Sequence, residues 1–462
     1  MSFSTQDTIV AIATPPGRGG IGIVRLSGPD ALTLGQALIT HRDPLQPRQA
    51  TFTRVVLPQE TLAHPGAIGV ESREEADRPW FDHVVVTCFP APASYTGEHV
   101  VELSAHGSPV VLRAIVSSAI ARGARLAEPG EFTLRAFLNG RIDLMQAEAV
   151  GDLIESVTPL QARAAFDQLD GTLTRAIASI DATLFDLIAR LEASVDFPEE
   201  GYHFVEPGAL AAAIDGLLER TAALLADARR GRLIREGLRI AIVGAPNAGK
   251  SSLFNALAGA SRAIVSEVPG TTRDLVTEVV DIEGLRVTLI DTAGLRETED
   301  LVEVEGVARA QQSMTVADLV LMVEDRSRDR VVNKAPGVSK VLYVVNKIDL
   351  PAAWHDEDAV RVSATTGAGV EELRRRIARA LDGDSFCDRP AITNVRHIAL
   401  VDRAHRALLR ARAAALAEGG SLSEEFVLAD LAEARGAFEE VSGRRAPDEL
   451  LTHIFSRFCI GK

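Results

Sequence analysis

Gly244–Ser251, reading GAPNAGKS, constrains this chain more than any other stretch. It matches the pattern GxxxxGK[ST], follows the apolar run LRIAIVG and leads into the helix-like run SSLFNALAG. A glycine-rich turn between strand and helix lets backbone N–H groups encircle phosphates at the positive end of the helix. On that reading Lys250 reaches the β- and γ-phosphates and the Ser251 hydroxyl binds Mg²⁺. Ala248, Gly249 and Ser252 line the same cradle. An ordinary strand–turn–helix remains the plain alternative for this motif alone.

The motifs that follow remove that alternative. Asp291-Thr292-Ala293-Gly294 closes the apolar run LRVTLI, where the aspartate can hold Mg²⁺ through water and the Gly294 N–H can meet a γ-phosphate. Asn346-Lys347-Ile348-Asp349 closes VLYVV, and Asp349 can accept both hydrogen bonds from the N1–H and amine of guanine. Ser363-Ala364 follows the next strand-like run and can touch the base oxygen. Between the first two motifs, Thr272 within GTTRD can complete the Mg²⁺ shell. Their order at strand ends specifies a guanine-nucleotide hydrolase. Ras-like enzymes orient the attacking water with a glutamine after DTAG, whereas Leu295 stands here. The water must be positioned by another group, and Glu297, Glu299, Asp300, Glu303 and Glu305 are candidates as well as ordinary solvated loop carboxylates. A monovalent cation can replace the charge of an arginine finger, because only positive charge near the β–γ bridge is needed.

The 462 residues are enough for about three domains. Around the nucleotide motifs, strand-like and helix-like runs alternate over 237–383, as in a doubly wound, mostly parallel sheet. Residues 1–139 mix short strand-like runs with one helix-like run, PVVLRAIVSSAIARG, in an α+β pattern, with a further strand expected near Thr51–Leu57. Residues 140–236 and 384–462 read as amphipathic helices. The fold class expected is therefore multidomain, α/β and α+β: a P-loop GTPase sheet inserted into a helical domain that both flanking segments build.

The net charge of −15 is the wrong sign for a surface that grips nucleic acid throughout, so RNA contact is expected on a local patch or through a more basic partner. Cys88, Cys387 and Cys459 are widely spaced and form no CxxC pair, which fits a reducing compartment. Neither a leader pattern nor an apolar run long enough for a membrane span appears, so the expected location is cytoplasmic. Cys459, in the terminal FCIGK, can be a nucleophile, a metal ligand or plain packing. Arg25 and Glu102 interrupt apolar strand-like runs; each is either an edge position facing water or half of an inward pair facing an anionic or pterin-like ligand.

GAPNAGKSSLFNALAG, PGTTRD, DTAGLRE, ATPPGRGGIGIVRLSG, TGEHVVEL, PGEFTLRAFLNGRIDL and FCIGK together resemble the MnmE (TrmE) family of tRNA-modification GTPases along essentially the whole chain. The resemblance implies an N-terminal folate-binding domain that forms a homodimer, a discontinuous helical domain and an inserted G domain. It implies K⁺ held by the Asn247 and Thr271 side chains and by the Ser266 and Val268 carbonyls, and it assigns water positioning to Glu303. For a 5-formyl- or 5,10-methylene-tetrahydrofolate site it points to Arg25, Glu102, Arg141 and Lys462. Arg141 stands where relatives commonly carry lysine, and SAHGSP departs from the usual GHGGP, so the shape of that pocket differs. The implied partner is a flavoprotein, MnmG (GidA), which with this chain would modify carbon 5 of the wobble uridine of tRNA. The rival from another class is a regulatory or ribosome-assembly GTPase switch, which would usually carry an appended basic domain.

Overall fold

The computed structural model describes residues 6–56, 80–196, 207–259, 276–291, 317–330, 340–381, 392–416 and 424–462. These form two compact units, 1–148 with 442–462, and 149–441.

The first unit is built on a six-stranded sheet: β1 (Ile9–Ile12), β2 (Gly19–Ser27), β3 (Thr51–Val56), β4 (Trp80–Phe89), β5 (Val100–Gly107) and β6 (Arg125–Leu126), in the order β3-β4-β5-β2-β1-β6. Neighbours run antiparallel except β1 and β6. Side chains alternate between faces along a strand. One face sends Val24, Leu26, Val86 and Leu103 against α1 (Ala31–Ala37) and α2 (Pro109–Ile120). Each such fully buried aliphatic side chain contributes about 1.5–3 kcal/mol. The opposite face carries Arg25 and Glu102.

α3 (Glu131–Leu138) and the start of α4 (Leu144–Glu155) pack with α13 (Asp448–Phe455) through Leu134, Leu144, Leu451, Ile454 and Phe455. Where one helix-like run was expected in 1–139, the structure has α1, α2 and α3. The first and last are only seven and eight residues long, too short to build an obvious period.

In the second unit the expected long helical texture is cut into α5 (Pro159–Leu169), α6 (Thr172–Asp196), α7 (Pro207–Ala226) and α8 (Ala228–Glu236). Pro159 has no N–H to give and disfavours helix at Thr158. The new start is capped: Thr158 Oγ1 accepts from Gln161 N at 3.2 Å, and Gln161 Oε1 accepts from Val157 N at 3.0 Å. α11 (Val395–Ala415) packs on α7, and α12 (Glu424–Ser442) completes the helical part. The arginines of α11 do not form a free basic face: Arg403 pairs with Glu440, Arg406 with Asp402, Arg410 with Asp430 and Glu433, and Arg412 with Asp215.

The second sheet has the order β12-β11-β10-β7-β9-β8, from β7 (Leu238–Gly244), β8 (Val276–Ile282), β9 (Leu285–Asp291), β10 (Leu319–Asp325), β11 (Val341–Asn346) and β12 (Val360–Arg361). It is parallel apart from β8, as a doubly wound sheet with one antiparallel edge. β8 has no counterpart in the sequence reading because, at the edge, only Val280 and Ile282 among its described side chains are buried. α9 (Lys250–Gly259) and α10 (Val370–Ala380) flank the sheet and share its core. Among the described residues no helix is long and apolar enough to cross a membrane.

Candidate functional sites

β7 ends at Gly244 and α9 begins at Lys250, so Gly244–Ser251 spans the carboxyl edge of the parallel strands. Ligands bind doubly wound sheets at that edge. Gly249 has φ +90°, and a Cβ there would collide with Nδ2 of Asn346, so the loop and the Asn346 strand end fit only with glycine between them. Lys250 Nζ donates to the carbonyls of Gly244 and Ala245, each at 3.0 Å. Burial pushes the Lys250 ammonium pKa down, opposed by the Asp291 carboxylate. A partly desolvated cation answered by two neutral carbonyls, at the start of a helix, fits an anion better than anything else. Ser251 and Ser252 are exposed in the first turn of α9, and buried Asp291 ends β9. A hydroxyl and a carboxylate flanking a phosphate cradle are the oxygen donors Mg²⁺ takes.

The end of β11, Asn346–Asp349, is tied to the same loop. Asn346 is buried; its Nδ2 donates to the Ala248 carbonyl at 3.0 Å and its Oδ1 accepts from Ala364 N at 3.1 Å. Lys347 Nζ donates to the Asn247 carbonyl at 2.8 Å and to Asp325 Oδ2 at 2.7 Å. Burial works to raise the Asp325 carboxyl pKa, but the bonds from Lys347 and Ser327 outweigh it and hold the group below its ordinary value. Asp349 is exposed just beyond, and buried Ser363 accepts from Thr366 N through Oγ at 3.1 Å. Asn247, Ala248, Gly249, Asp291, Asn346, Lys347, Asp349, Ser363 and Ala364 thus sit on loops and strand ends of one sheet, with Lys250 and Ser251 in the first turn of α9. Ser266, Val268, Thr271, Thr272, Thr292, Ala293, Gly294, Leu295 and the carboxylates Glu297, Glu299, Asp300, Glu303 and Glu305 lie outside the described residues.

A second polar site lies on the open face of the first sheet. Arg25 and Glu102 are directly opposite on β2 and β5, central strands rather than edges, and Arg25 Nε donates to Glu102 Oε1 at 2.8 Å. The central placement removes the edge reading of these two charges. The Arg25 guanidinium lies 5.7 Å from the ring centres of both Tyr95 and Phe132. Tyr95 is 38% exposed; desolvation of its phenol raises its pKa against the Thr133 bond and Arg25, and its Oη shares a hydrogen bond with Thr133 Oγ1 at 2.9 Å. Among the described residues Glu102 Oε2 takes no hydrogen bond. A carboxylate with one free oxygen beside a ring-flanked guanidinium suits a flat heterocycle that offers amine and amide groups, so the donor set fits a pterin.

No described bond joins Arg141 or Lys462 to that pair. Arg141 packs beside Gly97, and Lys462 follows Gly461, whose φ of +96° lets it press on the Ile12 carbonyl. Cys459 is exposed and free; its carbonyl accepts from Gly130 N at 3.4 Å. Sequence reasoning missed Tyr95 and its support. Arg135, 1% exposed, donates to Glu131, Glu98 and Asp7, while Asn139 Nδ2 donates to the Thr96 carbonyl at 2.7 Å, fastening the 94–98 turn to α3. The only signal was an aromatic inside a polar turn, SYTGE.

The family profile described as MnmE helical domain matches residues 144–459, and that of the GTP-binding protein TrmE N-terminus matches residues 8–141. A relative from Koribacter versatilis (strain Ellin345), named tRNA modification GTPase MnmE, is 43% identical over 100% of both chains. This chain belongs to the MnmE family. Another MnmE, from Thermus thermophilus, is 42% identical over 100% of both chains. Among solved structures, the G domain of the T. maritima FeoB iron transporter matches 31% of this MnmE-family chain and 98% of its own at 27% identity, with a TM-score of 0.23.

Proposed function

We propose that GTP hydrolysis by this MnmE-family tRNA-modification GTPase is K⁺-stimulated. The observation that carries the reading is the joining of Gly244–Ser251 to the guanine-reading strand end by Asn346 and Lys347, with the Asp349 carboxylate exposed beyond them. Lys250 and the backbone N–H groups of the cradle would neutralise phosphate oxygens, and Ser251 with Thr272 would hold Mg²⁺. Asn247, Ser266, Val268 and Thr271 are the proposed K⁺ ligands, supplying the charge an arginine finger gives elsewhere. Glu303 would orient the attacking water.

The proposal extends to the rest of the chain. Residues 1–139 would bind a tetrahydrofolate through Arg25, Glu102, Arg141 and Lys462 and hold two copies together. Residues 140–236 with 384–462 would form the helical domain around a G domain at 237–383. With a flavoprotein of the MnmG type, in the cytoplasm, the pair would transfer the folate one-carbon unit to carbon 5 of the wobble uridine. Cys459 is exposed at the end of this arrangement, which supports a chemical role over packing.

Mass spectrometry of tRNA nucleosides from cells lacking the protein tests the whole reading: an unchanged wobble uridine profile rejects it. Turnover compared in K⁺ and Na⁺ tests the cation, and equal rates would remove it. Glu303→Ala should lower kcat by about 10²-fold or more with nucleotide affinity kept; unchanged turnover assigns the water to another carboxylate.

A further inference from the structure

Two non-glycine residues near the nucleotide site hold left-handed backbones, Asn247 at φ +63° and Lys347 at φ +64°. Such residues rarely adopt this conformation unless the surroundings impose it. They meet in one bond, Lys347 Nζ to the Asn247 carbonyl at 2.8 Å. The same ammonium bonds Asp325 Oδ2 at 2.7 Å. Asp325 ends β10, in register with Asn346 of β11, and its side chain is 11% exposed. Its other oxygen, Oδ1, accepts from both the N–H and the hydroxyl of Ser327, at 2.9 and 2.7 Å. The carboxylate is thus clamped before it meets Lys347.

We propose that Asp325 is a positioning residue of the GTPase site, acting through Lys347 to hold the Asn247 carbonyl and the left-handed turn of the phosphate loop. The inference rests on the nucleotide reading above. A lysine stem with four rotatable bonds reaches one carbonyl reproducibly only if a fixed anion sets where its ammonium lies. A carbonyl alone is a weak anchor for that charge; a sparsely exposed carboxylate is a strong one. Without Asp325, Lys347 is free to turn to water, and Asn247 loses the bond that holds it.

The test uses the full-length protein and a fluorescent GDP. Asp325→Asn keeps the shape but turns an N–H₂ or a neutral oxygen to Lys347, and should speed GDP release at least tenfold while thermal melting changes little. Combining it with Lys347→Met decides the route: the double variant should release GDP no faster than Lys347→Met alone, because both changes cut one chain of contacts. Ser327→Ala, which removes only the hydroxyl bond that orients the carboxylate, should give a smaller acceleration of the same sign, and it covers the case in which Asp325→Asn does not fold. Additive effects in the double variant, or wild-type release rates in Asp325→Asn or Ser327→Ala, overturn the inference. Wild-type protein that binds no GDP overturns the nucleotide reading and this inference with it.

Discussion

The side-chain amide of Asn346 donates to the backbone carbonyl of Ala248 at 3.0 Å, so the end of β11 also holds the Gly244–Ser251 loop. Asn346→Ala removes this bond and leaves both the Ala248 carbonyl and the Ala364 N–H without their partner. A buried polar group left unpaired costs about 1–3 kcal/mol. GDP affinity by calorimetry should fall by roughly 10–100-fold, and an unchanged dissociation constant would show that the loop holds its shape alone.

Gly249→Ala tests the same joint from the other side. Its Cβ would collide with Asn346 Nδ2 at a left-handed φ of +90°. Displacing the amide opens the loop, so nucleotide binding should be lost at concentrations that saturate the wild type, with circular dichroism retained. Retained binding would mean that the loop and the strand end move independently.

Asp349→Asn exchanges a double acceptor for a group with one acceptor and one donor. Guanine nucleotides should bind less well and xanthine nucleotides better, measured by competition. Undiminished guanine preference would contradict the assignment of this exposed carboxylate to the base.

The buried arginine in the first unit predicts an acid limit. At Glu131 and at Asp7, burial raises the carboxyl pKa, but bonds from Arg125 and Arg135 outweigh it and lower both below their ordinary values. A depressed folded pKa contributes stability that is complete above the unfolded value near 4 and drains away as pH falls through the folded value. Melting temperature should therefore drop below about pH 4, less steeply in Glu131→Gln. Arg135→Met strips Glu98 of its arginine and leaves Glu131 with Arg125 alone, and should cost about 3–5 kcal/mol at neutral pH, read by urea denaturation.

Tyr95→Ala removes one of the two rings that flank Arg25. Titration with formyl-tetrahydrofolate should show at least tenfold weaker binding, with Tyr95→Phe closer to wild type because the ring face remains. Equal affinity in Tyr95→Ala would place the ligand elsewhere.

The described part of the candidate nucleotide site was legible because its residues stand at or just after strand ends, where sequence spacing and spatial position coincide. Gly249, Lys250, Asn346 and Asp349 each follow an apolar run that could only be a buried strand. Asp325 also ends such a run, yet nothing local distinguishes it from any aspartate starting a turn; its role depends on a lysine that arrives from the neighbouring strand. Arg25 and Glu102 were visible as interruptions, but strand order alone decides between edge and centre, and that order depends on pairings between segments far apart in sequence. Tyr95 and the long-range half of the Arg135 network were hidden for the same reason: Tyr95 finds Thr133 on α3, and Arg135 reaches Asp7 and Glu98 as well as its helix neighbour Glu131. β8 escaped because an edge strand buries only one side of its residues.

The packing of α13 against α3 and α4 has a consequence for how the protein is made. Leu451, Ile454 and Phe455 close a core whose other half, Leu134 and Leu144, is translated before the whole of Ala149–Val441. At ordinary elongation rates that gap lasts on the order of 15–60 s. During it Leu134, Phe137 and Leu144 lack their cover while the second unit is already emerging and able to fold. Synthesis of Asp448–Phe455, long after that of Leu134 and Leu144, therefore completes the first unit, and a nascent chain stalled before Asp448 should expose this apolar seam to chaperones.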